Sequence, residues 1–327
     1  MKTFDFYNDG MPEMLERLSE TPAMQRLCNV GMNCGCEYTS FPLFARIEGY
    51  SRHAHSVGTG MITWHFTRDP AAAAAALLHD IATPVFAHTV DFINGDHVLQ
   101  ESTEEMTAAV ISSSPEICTV LSLYGLKPED VSDYHRFPVA DNDSPKLSAD
   151  RLEYTLGNGV NYGFIAYDEA AALYADLSVG TNEYGQDELC FSDAAAAERF
   201  AFLSLECSKV YVSPEDRYSM QILSELLKEA MAGGVILPED LMKDEPYVIN
   251  KLQQDPESNK KWKDFTSLSI MVSAEEYPQA ARTVPAKKRR IDPYISGKGR
   301  VSMLSPSFRK ALDEFMQWDF TIPIAGK

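Results

Sequence analysis

No stretch of this chain approaches the roughly 20 consecutive apolar residues that cross a bilayer. The opening MKTFDFYNDGMPEM carries acids where a secretory leader needs a basic and then an apolar run. Both absences predict a cytoplasmic protein with no membrane partner. Positive charge is scarce: 29 Lys and Arg stand against 48 Asp and Glu, a formal net charge of −19. Such a surface repels long polyanions, so no extended nucleic acid is expected as a partner, whereas a small phosphate compound can be held wherever cations gather locally. Cysteines number six in 327 residues. None falls in a metal or redox spacing, since NCGCEY is C-x-C and Cys118, Cys190 and Cys207 are scattered, and reduced thiols are expected. Strand signals are sparse as well. The best of them, FTSLSIMVS (265–273) and RVSMLS (300–305), lie in the C-terminal third. Neither an internal repeat nor a linker is visible, only an alanine run at 71–76 and the basic cluster KKRR at 287–290.

Helical periodicity fills most of what remains. Apolar residues recur at three and four over 12–20, 55–68, 103–112, 168–178, 194–211 and 219–234. The fold class is therefore mainly α with a small β element late in the chain. VSPEDR, at 212–217, punctuates the helices and divides the chain into a core of residues 1–215 and a C-terminal α-rich extension of residues 216–327.

The stretch AAAAAALLHDIATPVFAHTVDF (71–92) concentrates the chemistry. Asp69 and Pro70 read as N-cap and first helical residue, and the helix runs through Leu78. It is apolar on every face, so other helices must wrap it, and an Asp at its end loses its hydration unless it is paired or bound to a metal. His79 and Asp80 sit at that end. Thr83 and Pro84 read as the start of another helix, on which His88 and Asp91 share a face at i and i+3. An HD dipeptide alone says little. Here, however, His55 lies near the start of an earlier helix and Asp150 on a later one. Imidazoles and carboxylates delivered by separate helices suit a hard to borderline divalent cation with positions left for water and substrate.

Four blocks carry a resemblance: TPAMQRLCNVG (21–31), SRHAHSVGTG (51–60), LLHDIATPVFAH (77–88) and ADRLEYTLGN (149–158). In order and spacing they resemble the HD-domain metal-dependent phosphohydrolases, and within them the deoxynucleoside triphosphate triphosphohydrolase branch. The resemblance implies an HD-domain helical bundle over about residues 20–215 with a helical extension behind it, and a homo-oligomer. It implies His55, His79, Asp80 and Asp150 as metal ligands and Arg52 as a phosphate contact. His88 and Asp91 would stand beside the scissile phosphate, with Arg151 and Tyr154 as supporting or substrate-facing groups. Met32 and Asn33 take the place of the family pair near the sugar, and Tyr211 that of a family tyrosine. Departures accompany these matches. Thr83 replaces a second histidine, Gln100 and Glu101 stand where a later His-Glu is expected, with His97 nearby, and Asn158 replaces an aspartate. The triphosphate-binding arginine falls near Leu203, with Arg199 as a stand-in.

The expected function is a divalent-metal-dependent phosphohydrolase in which water activated by the cation attacks phosphorus. Its substrate is a small phosphate ester, with a nucleotide as the leading candidate. His55, His79, Asp80 and Asp150 suit Mn, Fe, Mg, Ni, Co or Zn. The alternative is a catalytically reduced domain that binds a nucleotide or metal as a sensor. The KKRR cluster is read as a solvated loop or as cations brought up to phosphate from another subunit or at a regulatory site.

Overall fold

Asp69 ends one helix connection and begins the next: its carboxylate accepts from the Ala71 and Ala72 amides, and Pro70 occupies the first helical position. The helix Pro70–Leu78 then folds back on Arg52–Thr67 across a turn at Arg68, whose φ is 54°. Small residues let the two axes approach closely. A Cβ at Gly60 would stand 2.8 Å from Leu77 Cβ and 3.3 Å from the Ala73 carbonyl. Ala72 through Leu78 are all buried, and Leu77 and Leu78 each contribute about 1.5–3 kcal/mol by leaving water. Glu13–Ser19 and Pro128–Val131 pack on Pro70–Leu78 as well, wrapping the helix as its uniformly apolar sequence requires, and Ala149–Asn161 packs on Arg52–Thr67.

The computed structural model describes residues 4–7, 10–45, 47, 49–93 and 106–327. Sixteen α-helices and six short strands occur among them, so the fold is mainly α. No helix among the described residues is long and apolar enough to cross a membrane. Two buried apolar clusters organise the chain. One gathers around Arg52–Thr67, Pro70–Leu78, Ala149–Asn161 and Ala194–Val210 and takes in Phe308, Leu312 and Phe315 from near the C-terminus. The other joins Cys34–Phe44 and Val85–Phe92 to the helix Pro214–Ala232 and to Trp262 and Phe265. Each draws on both sides of residue 215.

The strands depart from expectation. FTSLSIMVS begins inside the helix Pro256–Thr266, capped by Asp255, and only Met271–Val272 is extended, pairing antiparallel with Ala325–Gly326. RVSMLS opens on Arg300, the last residue of the strand Gly299–Arg300, and then turns into the helix Val301–Leu304. The main sheet begins earlier, with the hairpin Leu177–Thr181 and Asp187–Phe191. Asp187–Phe191 pairs in parallel with Tyr294–Ile295, which pairs with Gly299–Arg300. This sheet ties the C-terminal third to the middle of the chain. Arg300 locks it with paired hydrogen bonds to Glu183 and to the fully buried Glu188. A second correction concerns Thr83 to His88: the chain makes tight turns there, with Phe86 (φ 57°) and Ala87 (φ 44°) left-handed, and the helix starts only at Thr89.

Candidate metal centre

Three helix ends converge on one point. His55 lies in the first turn of Arg52–Thr67, which Ser51 caps by accepting from the Ala54 amide. His79 closes Pro70–Leu78, with Asp80 next to it, and Asp150 lies in the first turn of Ala149–Asn161, capped by Ser148. His55 Nε2 stands 3.0 Å from Asp150 Oδ1 and 3.9 Å from Asp80 Oδ2. His79 Nε2 is 3.6 Å from each of the same two oxygens. Adjacent ligands on a cation with bonds of about 2.1 Å lie about 3 Å apart; His55, His79 and Asp80 bring ligand atoms within 4.8 Å of one another, while Asp150 stands against the two imidazoles.

The outward side of each imidazole is what fits these residues to a cation. His55 Nδ1 donates to Glu153 Oε2 at 2.6 Å, and His79 Nδ1 donates to the Ala76 carbonyl at 2.7 Å. With a proton fixed at each Nδ1, each Nε2 faces the two carboxylates and is the atom through which a neutral imidazole binds a cation. A Cβ at Gly58 would stand 2.7 Å from Glu153 Cγ, so that glycine makes room for the carboxylate holding His55. Burial opposes charge here, yet Asp150 and Glu153 more than offset it and push His55 up to about 10. Burial likewise favours a neutral Asp80, but Arg52, His79 and His55 hold its carboxyl well below the usual range. Positive charge is what this centre attracts, and a divalent cation supplies it. Asp80 is oriented from both sides, by Arg52 Nη1 at 3.0 Å on Oδ2 and by Thr83 Oγ1 at 2.8 Å on Oδ1. Thr83, standing where the resemblance has a histidine, thus orients the Asp80 carboxylate.

A cavity of about 200 Å3 opens over the centre, between the two apolar clusters. His88 lines it, with Nδ1 donating to the fully buried Asp91 at 2.9 Å and Nε2 accepting from Arg289 Nη2 at 3.4 Å. Burial lowers the His88 pKa, Asp91 raises it, and Arg289 and Arg52 lower it further, for a net fall below the ordinary value. Two buried amides face the same space. Tyr162 donates to Asn33 Oδ1 and Asn158 donates to the Tyr211 phenol, each at 2.8 Å. Among the described residues, Asn33 Nδ2 and Asn158 Oδ1 have no partners, one donor and one acceptor.

Of the residues expected from sequence, Met32, Asn33, Arg52, His55, His79, Asp80, His88, Asp150, Tyr154 and Tyr211 all line this cavity, and Asp91 stands directly behind His88. Arg151 does not line it. Its guanidinium turns away to Asn142, Ser148 and Asp141. Arg199 does not reach it either, being held by Glu169 and the Phe164 carbonyl, and Leu203 is core. His97, Gln100 and Glu101 lie outside the described residues. All six cysteines are free thiols, and Cys34 lines the cavity. Sequence reasoning missed Glu153, Asp216 and Tyr134, whose ring lies 5.0 Å from that of His79. The KKRR cluster is not a solvated loop: Lys287 and Arg289 of this same chain line the cavity.

No protein-family model matches the chain. It is 29% identical over 242 residues to the uncharacterised protein YdhJ of Bacillus subtilis (strain 168), covering 73% of this chain and 71% of that one. It is 27% identical over 172 residues to the metal-dependent phosphohydrolase cns2 of Cordyceps militaris, covering 51% of this chain but 46% of the relative. Among solved structures, a phosphohydrolase from Bacteroides thetaiotaomicron superposes with a TM-score of 0.65 at 15% identity, over 97% of this chain and 96% of that one. A hypothetical protein from Aquifex aeolicus gives 0.62 at 18% identity, over 97% and 92%. At these identities the structural likeness is one of fold.

Proposed function

We propose that the protein is a divalent-metal-dependent phosphohydrolase acting on a small phosphate ester, and that the ester is a nucleotide. The observation that carries this reading is the pair of imidazoles tied at Nδ1, whose Nε2 atoms face Asp80 and Asp150. His55, His79, Asp80 and Asp150 would hold the cation. When bound, such a cation supplies Lewis acidity, lowering the pKa of a water and polarising a phosphoryl oxygen.

The remaining groups serve a phosphate brought to that point. Arg52 is buried, and its Nε has no acceptor among the described residues, so a phosphoryl oxygen completes its hydrogen bonding. His88 moves a proton at Nε2 to the leaving oxygen, and Asp91 fixes the tautomer that puts Nε2 forward. A bound phosphate acts on His88 as Asp91 does, raising its pKa and charging it when substrate arrives. The nucleotide assignment is supported by Asn33 and Asn158, which offer one free donor and one free acceptor beside the phosphate position, a pattern suited to a sugar hydroxyl or a base edge.

The test is a phosphorus NMR time course on mono-, di- and triphosphates of ribo- and deoxyribonucleosides with Mn2+, with metal content measured in parallel and Asp80→Ala as control. Tripolyphosphate released from deoxynucleotides places the protein with the deoxynucleoside triphosphate branch, and orthophosphate from monophosphates makes it a nucleotidase. An active, metal-free Asp80→Ala protein refutes the reading. Nucleotide binding that stabilises the wild type without any product favours the sensor.

A further inference from the structure

Asp216 stands in the wall of the cavity over the metal centre and has no part in the handling of phosphate proposed above. It lies in the first turn of Pro214–Ala232, where Ser213 accepts from its amide at 3.1 Å and so fixes the backbone from which the carboxyl projects. The thiol of the buried Cys36 donates to Oδ1 at 3.7 Å. Among the described residues nothing donates to Oδ2. The groups that act most on this carboxyl are Cys36, Arg217, Arg289 and Glu37, none of them a ligand of the metal centre, so Asp216 serves another part of the cavity.

Its surroundings decide its charge. No Lys, Arg or His among the described residues forms an ion pair with it. Arg217 spends its guanidinium on the carbonyls of Val212 at 3.0 Å and Val284 at 2.6 Å, and Arg289 Nη2 lies 3.4 Å from His88. Cys34, Cys36 and Tyr162, which also feel this carboxyl, are held in their uncharged forms, and Glu37 adds a like charge when ionised. A carboxyl removed from water without an ionic partner keeps its proton. Burial outweighs Cys36, Arg217 and Arg289 and pushes Asp216 up to about 8. Because Cys36 donates to Oδ1, the proton resides on Oδ2. The cavity therefore meets a hydroxyl donor at a place where a carboxylate would repel a phosphorylated ligand.

We infer that Asp216 sets specificity for the part of the substrate beyond the phosphate, donating from Oδ2 to a ring nitrogen or carbonyl oxygen of a nucleotide base. This deepens the nucleotide reading of the cavity and rests on it. Two ligands isolate the base: AMP carries one, and ribose 5-phosphate has the same sugar and phosphate without it. The experiment is calorimetric titration of the Mn2+-loaded protein with both, in a His88→Ala background where turnover is slowed, comparing Asp216 with Asp216→Asn and Asp216→Leu. In Asp216→Asn the amide oxygen accepts from Cys36 and the amide nitrogen takes the place of Oδ2, so the donor is kept. The expected result is that Asp216→Leu lowers the preference for AMP over ribose 5-phosphate about tenfold, while Asp216→Asn holds it within about twofold. With Asp216 in place the preference should also fall as pH rises through about 8, where the hydroxyl is lost, and it should stay level in Asp216→Asn. A preference that survives in Asp216→Leu, a loss in Asp216→Asn as large as in Asp216→Leu, an equal loss for both ligands, or the same pH profile in Asp216 and Asp216→Asn overturns the inference alone. A protein with Asp216 intact that binds the two ligands equally, or binds neither, contradicts the nucleotide reading itself, and the inference falls with it.

Discussion

Glu153→Gln is the sharpest perturbation of the metal centre, because it keeps the shape of a fully buried side chain and removes only its charge. Glu153 Oε2 accepts from His55 Nδ1 and from the Tyr50 phenol. Two donors on that atom require the amide oxygen of the substituted side chain to sit in the same place. The hydrogen bond to His55 then passes from charge-assisted to neutral, from about 1.5–3 to about 0.5–1.5 kcal/mol. A loss of about 1–1.5 kcal/mol is roughly tenfold in metal affinity, the lower end of what outer partners of ligating histidines contribute. Competition against a chromogenic chelator with Mn2+ or Zn2+ at neutral pH measures it, and a thermal melt of the metal-free protein checks the fold. If affinity stays within about twofold of wild type while Asp80→Ala loses the metal, Glu153 does not set the His55 tautomer and the argument for the centre fails at its main step.

His88→Ala should lower kcat by about 10²- to 10⁴-fold with metal content unchanged; kinetics at wild-type level would remove His88 from proton transfer. Arg300→Met should destabilise the fold by about 3–5 kcal/mol, because Glu188 is left charged and buried. Urea denaturation reads the loss, and adding Glu188→Gln should restore part of it; a loss below about 1 kcal/mol would show that Glu188 finds other partners. Burial and the neighbouring Glu245 push the Glu37 carboxyl up to about 8 from an ordinary 4.5. Between those values the folded chain holds a proton that the unfolded chain releases, so stability falls as pH rises through that window. Glu37→Gln should flatten the fall, its Tm advantage over wild type growing from pH 5 to pH 8, and parallel melting curves at every pH would contradict the assignment.

His55, His79, Asp80 and Asp150 could be singled out together in the sequence because four motif blocks carry them in order and because an Asp beside an all-apolar helix demands a partner; the structure gathers the four at one point. Asp69-Pro70 and Ser148 punctuate the sequence as they cap the structure. Glu153 was not legible as the group that orients His55. It lies three residues after Asp150 on the same helix, and only the close approach of two helices at Gly58 brings it to Nδ1. The basic cluster failed for a related reason. Four successive cations read as solvated until Lys288 is seen bound to carbonyls 28 and 30 residues further on, which turns its neighbours inward. The hairpin at 177–191 escaped because its second strand is buried on four consecutive residues and shows no alternation. The turns after Thr83 escaped because Phe86 and Ala87 take backbone conformations that neither residue type signals.

Charge at the centre also bears on the valence of the cation. Asp80, Asp150 and Glu153 place three carboxylates around one point, and Arg52 is the guanidinium bonded directly to one of them. A divalent ion brings this set to neutrality with both imidazoles uncharged, the state in which their Nε2 lone pairs are free to bind it. A monovalent ion leaves a net negative charge on this partly buried set, and a trivalent ion a positive one, each less favourable than neutrality. Without the ion, His55 is driven toward its protonated form. Cation and proton thus compete for the same lone pair, and metal binding must release a proton from His55. Calorimetry in buffers of different ionisation enthalpy should register that release when Mn2+ binds near neutral pH, and heats independent of the buffer would contradict this account of the centre.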